Sequence, residues 1–176
     1  MKTYEEQYDR GLTKLLGNNF ISKSSLIFET LGTLDELNSI LGLARSKIKD
    51  KKINKILQKI QSDLFLLGSH IANTKNQGIS DKDILSIEYI MENLDKKLPA
   101  LKTFILPSGV EPASLLHVSR SLARKLERRV VALRTKNSNI SINTLKYLNR
   151  LSDLLFYLSR LLNKKARFKE EAWKRQ

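Results

Sequence analysis

A chain of 176 residues with 41% apolar residues can bury one sizeable core and is short for two domains. Seven Gly and three Pro favour long helices over a turn-rich β fold, and the lack of Cys excludes disulfides, thiolate catalysis and cysteine metal sites. The net charge of +14 points to an anionic partner such as nucleotide, nucleic acid or acidic membrane, although compositional bias toward Lys, Ile and Asn explains such an excess equally well.

Residues 1–23 hold no sustained period; "DRGLTKLLGNNF", with two Gly and an Asn pair, is expected to be a loop. The start, "MKTYEEQYDRG", lacks the apolar run of a signal peptide, and no segment approaches the roughly 18 apolar residues of a membrane span. A soluble, cytoplasmic protein is the expectation. From Ser24, apolar residues at three- and four-residue steps (Leu31, Leu34, Leu37, Leu41, Ala44) predict a helix ending near "KIKDKK". A second is expected over about 53–72, and a third follows the N-cap Ser80 to about 98. "LPALKTFILPSGVEP" holds all three prolines and is expected to be a structured connection. A fourth helix covers about 112–136, with Pro112 in its first turn, and a fifth, strongly apolar, runs over about 142–168. The tail from 169 is expected to fray into solvent as a basic extension, with Trp173 anchoring it. Short connections between such helices make an all-α, up-and-down five-helix bundle the natural architecture, as one domain over 1–176.

The fourth helix carries the densest charge. Advancing about 100° per residue from His117, Arg120, Arg124, Glu127 and Arg128 fall within an arc of about 100°, opposite Leu115, Leu122, Leu126 and Val130. A solvated face is the ordinary explanation of such a stripe. Two features point elsewhere: the stripe uses Arg in a Lys-rich chain, which suits bidentate phosphate contacts, and the next helix carries a second polar stripe, Asn149, Asp153 and Arg160. Facing stripes would make an internal polar site. Asp35 and Glu36 interrupt the first helix as a solvated patch or as partners for an arginine. His70 and His117 each stand alone, which argues against a His-based zinc site. Phe104 reads either as a core aromatic or as a ligand contact. There is no Walker sequence and no G-x-G-x-x-G, so a nucleotide would need a different device. Nucleic-acid binding has net charge alone in its favour, without a recognition-helix signature or stacking motifs, and is set aside.

"GTLDELN", "IQSDLFLLGSHIA", "FILPSG", "LHVSRSLARKLERRVVAL" and "YLNRLSDLLFYLSR", in this order, resemble the trimeric, diol-utilisation (PduO-like) type of ATP:cob(I)alamin adenosyltransferase. The resemblance covers the chain from about residue 21 onward. It implies a ferritin-like five-helix bundle (24–168), an N-terminal nucleotide loop (1–23), a basic tail (169–176), and a homotrimer with active sites between subunits. The implied reaction moves the 5′-deoxyadenosyl group of ATP to Co(I) of cobalamin, forming adenosylcobalamin and releasing triphosphate. ATP, Mg²⁺ and cobalamin as substrate follow, with a cobalamin reductase or an adenosylcobalamin-dependent enzyme as a further partner and no role for nucleic acid or membrane.

Carried over by residue, Arg124, Glu127, Arg128 and Asn149 match the ATP site, with Lys23 near the phosphates and Thr13, Lys14 and Lys125 completing the ATP set. Arg120 and Asp35 match a pair bridging neighbouring subunits, and with Arg124 they form the catalytic set. Phe104 matches the aromatic that lines the cobalamin pocket and keeps the lower cobalt face free of a ligand. No metal ligand is named. The loop departs from the family pattern: Glu5, Glu6, Gln7 and Tyr8 replace residues that usually wrap the nucleotide, Lys125 stands where Arg is common, and Ser108 where Gly is. A catalytically weakened relative that binds or delivers corrinoid is therefore the alternative.

Overall fold

The computed structural model describes residues 6–15, 20–136 and 138–174. In chain order these form α1 (Glu6–Asp9), β1 (Leu12–Lys14), β2 (Phe20–Ser22), α2 (Leu26–Lys47), α3 (Lys51–Ala72), α4 (Asp81–Asp95), α5 (Glu111–Lys136) and α6 (Ile142–Lys165). The long helices start where capping chemistry allows. Ser80 and Asp83 form a capping box at α4, the Asp50 carboxylate accepts from the Lys52 and Ile53 amides at α3, and Ser141 caps α6. The Asp50 cap starts α3 two residues before the expected 53.

Ion pairs and side-chain hydrogen bonds fix the helix directions. Lys47–Glu111, Glu36–Lys125 and Glu29–Arg129 join α2 to α5 with one number rising as the other falls, so these helices are antiparallel. Asp81–Asn143, Glu88–Arg150 and Asp95–Tyr157 join α4 to α6 at a constant offset of 62 residues, so these are parallel. The steps of seven are two helical turns and keep the ladder on one seam. With α5 and α6 antiparallel through their short connection, α2 to α6 run up, down, up, down, up. α5 lies between α2 and α6, and α6 also packs on α4.

The core joins Leu37 and Leu41 of α2, Leu57, Leu64 and Leu67 of α3, Leu116 and Leu126 of α5, and Leu148, Leu151 and Leu155 of α6. Burying a leucine contributes roughly 2 kcal/mol, so this seam dominates stability. Asp63 is the buried acid of the core; it accepts from the Tyr147 hydroxyl at 2.9 Å and pairs with Lys59, which also reaches Asp83 at 2.9 Å. Burial, and then the Asp63 charge, push the Tyr147 hydroxyl well above its ordinary value. His70 is likewise structural: the Ser141 amide donates to Nε2 at 3.2 Å, which leaves Nδ1 to donate to the Asn76 carbonyl at 3.0 Å.

Three expectations are corrected. The N-terminal segment is not plain loop: β1 and β2 pair antiparallel (Thr13 with Ile21), after Gly11 turns the chain at φ 78°. Three-residue strands are too short to show a period in sequence. α4 ends at Asp95 and α6 at Lys165 rather than at 98 and 168. Arg167 at φ 57° lets the Phe168 amide bond back to the Asn163 carbonyl at 2.9 Å, which reverses the chain in a Schellman turn. Residues 168–174 therefore do not fray. They return along residues 104–106, where the Leu106 amide donates to Glu171 at 2.9 Å and the Trp173 amide to Phe104 at 2.8 Å. Among the described residues, no helix is long and apolar enough to cross a membrane.

Candidate functional site

A cavity of about 520 Å³ opens between α5, α6 and the connection 96–110. Phe104, His117, Arg120, Arg124, Asp153 and Phe156 are among the residues lining it. Its arginine side follows from helical spacing: His117, Arg120 and Arg124 sit at steps of three and four on the face of α5 away from Leu126 and Val130, which are fully buried. The second polar stripe comes from α6, and the two meet where Asn149 Nδ2 donates to Glu127 Oε1 at 3.2 Å.

The site is rich in groups left unsatisfied. His117 is 4% exposed, and among the described residues neither of its ring nitrogens has a partner; nor does the buried Arg120 Nε. Buried polar atoms are normally satisfied, so these nitrogens are candidates for completion by a ligand or a neighbouring subunit. Burial, followed by the Arg120 charge, holds the His117 imidazole below its ordinary value, against a weaker opposing pull from Glu170. Its ring lies 6.1 Å from that of Phe156, which gives this wall an apolar side. Arg124 and Arg128 are exposed. Phe104 is 82% exposed, so its ring is not the core aromatic that the sequence left open.

The structure thus brings together Phe104, Arg120 and Arg124 around the cavity, with Glu127 and Asn149 bonded to each other between α5 and α6 and Arg128 a turn beyond Arg124. Lys125 is not on it: its ammonium meets Glu36 Oε2 at 3.0 Å across the α2–α5 seam, because residue 125 is rotated about 100° from Arg124. Asp35, on α2, is exposed. Thr13, Lys14 and Lys23 gather on the hairpin. Thr13 pairs with Ile21, the Lys14 ammonium lies 4.2 Å from the centre of the Phe20 ring, and Lys23 Nζ donates to the Tyr8 carbonyl at 2.7 Å. The unusual loop residues have local work: Glu6 pairs with Arg10, and Tyr8 packs edge-on against Phe20 at 5.8 Å. Glu5 lies outside the described residues. Among the described residues, no group of three or more His, Cys, Asp or Glu is placed to hold a metal ion.

Sequence reasoning put His117 at the head of the arginine stripe but gave it no role, arguing only against a zinc site; the structure makes it a buried wall of the cavity. That reasoning missed Phe156 although that residue follows Asn149 by seven on the same stripe. It also placed Arg160 in the polar stripe. The guanidinium is 4% exposed and turns to Glu170 and Pro99 instead.

Comparison with known proteins assigns the family. The cobalamin adenosyltransferase family matches residues 3–162. A corrinoid adenosyltransferase of Bacillus subtilis is 39% identical over 93% of this chain and 87% of its own length. The corrinoid adenosyltransferase PduO of Citrobacter freundii is 37% identical over 91% of this chain, which spans 49% of that longer protein. A variant of the PduO-type ATP:corrinoid adenosyltransferase of Lactobacillus reuteri, solved with cobalamin and ATP, superposes with a TM-score of 0.90 at 29% identity, covering 99% of this chain and 100% of that one. The chain belongs to the cobalamin adenosyltransferase family.

Proposed function

We propose that this protein transfers the 5′-deoxyadenosyl group of ATP to Co(I) of a corrinoid, the reaction for which its relatives are named. The observation that carries the reading is the facing of an arginine wall (Arg120, Arg124) and an exposed aromatic, Phe104, across one cavity. In the reaction, the Co(I) electron pair attacks C5′, a Co–C bond forms, the C–O bond breaks and triphosphate leaves with that bond's electrons. The substrate is itself the nucleophile, so no Ser, Cys or His nucleophile and no general base is needed. The protein's task is to align the reactants and stabilise a polyanionic leaving group.

Arg124 and Arg128 suit the phosphates, with Glu127 orienting them and Asn149 joined to Glu127 beside them. Thr13, Lys14 and Lys23 on the hairpin close over the nucleotide, and Mg²⁺ arrives on its phosphates. Phe104 occupies the lower cobalt face and excludes a ligand there. Asp35 and the unpartnered Arg120 Nε support a homotrimer in which these two residues pair between subunits. The working location is the cytoplasm. Mixing the protein with MgATP and chemically reduced cobalamin tests the reaction: adenosylcobalamin should appear in the visible spectrum. Cobalamin binding without product at micromolar protein would instead favour a corrinoid-binding relative. Light scattering on the eluting peak should give three times the 20.2 kDa chain mass, and a monomer would break the intersubunit reading.

A further inference from the structure

Phe104 stands 82% exposed at the cavity, so little of its own packing fixes its direction. Its backbone is held instead. The strap of residues 168–174 lies antiparallel to it, with Ile105 bridged to Ala172, the Leu106 amide bonded to Glu171 at 2.9 Å, and the Trp173 amide bonded to the Phe104 carbonyl at 2.8 Å. A strap of this kind needs an anchor, since two backbone bonds at the surface contribute only about 1 kcal/mol each. The anchor is Arg160. Its guanidinium is 4% exposed, donates from Nε to Glu170 of the strap at 3.1 Å, donates to the Pro99 carbonyl of the connection at 2.8 Å, and lies 5.9 Å from the centre of the Phe156 ring of the cavity wall. One buried cation therefore touches the strap, the connection and the cavity wall. Asn163, one turn on, clamps the same connection through the Ser108 carbonyl at 3.0 Å and the Val110 amide at 3.2 Å. That clamp requires Gly109: at φ 138°, its Cβ would lie 2.0 Å from Asn163 Oδ1.

We propose that Arg160 is a positioning residue for the corrinoid pocket: with Glu170 it fastens the C-terminal strap across residues 104–106 and so fixes where Phe104 stands. The proposal rests on the transferase reading for what Phe104 meets, but not for the clamp itself. Trp173 is the only tryptophan of the chain, so acrylamide quenching of its fluorescence reads the strap alone.

The test uses the full chain as Arg160→Lys, Arg160→Met and Glu170→Gln, with circular dichroism confirming helix content. Glu170→Gln keeps the side-chain shape and serves if Arg160→Met fails to fold. Arg160→Met and Glu170→Gln should raise Trp173 quenching and lower kcat/KM for cob(I)alamin by about tenfold or more, with KM for ATP within about twofold. They should also restore a lower-face ligand signal in the spectrum of bound cob(II)alamin. Arg160→Lys should recover part of each effect. Quenching that rises while the cob(II)alamin spectrum and kcat/KM stay as in the wild type would overturn the proposal; so would equal losses for both substrates. The spectrum needs no turnover. An inactive wild type would sink the transferase reading and leave this one to the cob(II)alamin signal.

Discussion

Helix α6 presents two polar surfaces with opposite character. Toward α3 and α4, three of its polar groups are matched within the chain: Tyr147 meets Asp63, Arg150 meets Glu88, and Tyr157 meets Asp95. Toward α5, the cavity holds His117 and Arg120 with buried nitrogens that have no partner among the described residues. Both sides spend polar residues inside a bundle, and the difference lies in who completes them. Groups matched within the chain specify and stabilise the fold. Groups left unmatched lower stability and are open to completion by a ligand or a neighbouring subunit. Substitutions on the α3/α4 side should therefore change stability and spare turnover, and those on the α5 side should do the reverse.

The largest separation is expected at Arg124. Arg124→Ala should lower kcat/KM by about 100- to 1000-fold, roughly 3–4 kcal/mol of transition-state stabilisation, as for loss of one preorganised charge at a leaving group. The residue is exposed, so the melting temperature should stay within about 1 °C. Activity surviving within about threefold would remove Arg124 from the site.

Asp63→Ala is the mirror image. It strips the buried Tyr147 hydroxyl of its acceptor and Lys59 of a partner, which should cost about 2–3 kcal/mol and lower the melting temperature by about 5–10 °C. Turnover per folded molecule should be unchanged. A loss of turnover at unchanged stability would break the comparison.

His117 should make the α5 side acid-sensitive. Burial, then Arg120, depress its folded-state value, so its contribution is fully present above the ordinary histidine value of about 6.5 and is lost as pH falls through the lower folded value. Unfolding free energy should decline below about pH 6.5, at up to about 1.4 kcal/mol per pH unit from this one proton. In His117→Gln that part of the slope should vanish. Identical slopes in wild type and variant would place the buried imidazole's charging elsewhere.

The division between the two sides also sets what sequence could disclose. The helices were legible because apolar residues recur at three- and four-residue steps and because Ser80 stands out as an N-cap, which the structure completes as a capping box with Asp83. The arginine stripe was legible as a stripe, and Asn149–Glu127 gives substance to the expected facing of two helices. What stayed hidden depends on contacts far apart in the chain or on single residues. Phe104 is paired with Trp173, Arg160 with Glu170, and His117 reveals itself only by the atoms it lacks. The hairpin stayed hidden because three-residue strands are too short for a period. The Schellman turn stayed hidden because Arg167 stands where glycine usually signals it.

Lys125 gives the smallest effect and the finest test of the division, since it neighbours Arg124 in sequence but faces another helix. Its ammonium lies 3.0 Å from Glu36, with the two side chains 38% and 54% exposed. An ion pair that wet contributes little, because water screens both charges and two long side chains must be held in one geometry. Lys125→Ala should cost about 0.5 kcal/mol or less, with kcat and the KM for ATP each within about twofold of wild type. The double variant Lys125→Ala with Glu36→Ala should match the single one within about 0.5 kcal/mol, since neither charge is buried. A KM for ATP raised about tenfold by Lys125→Ala would instead mean that the lysine leaves Glu36 for the phosphates when nucleotide binds. The boundary between the structural seam and the site would then move by one residue along α5.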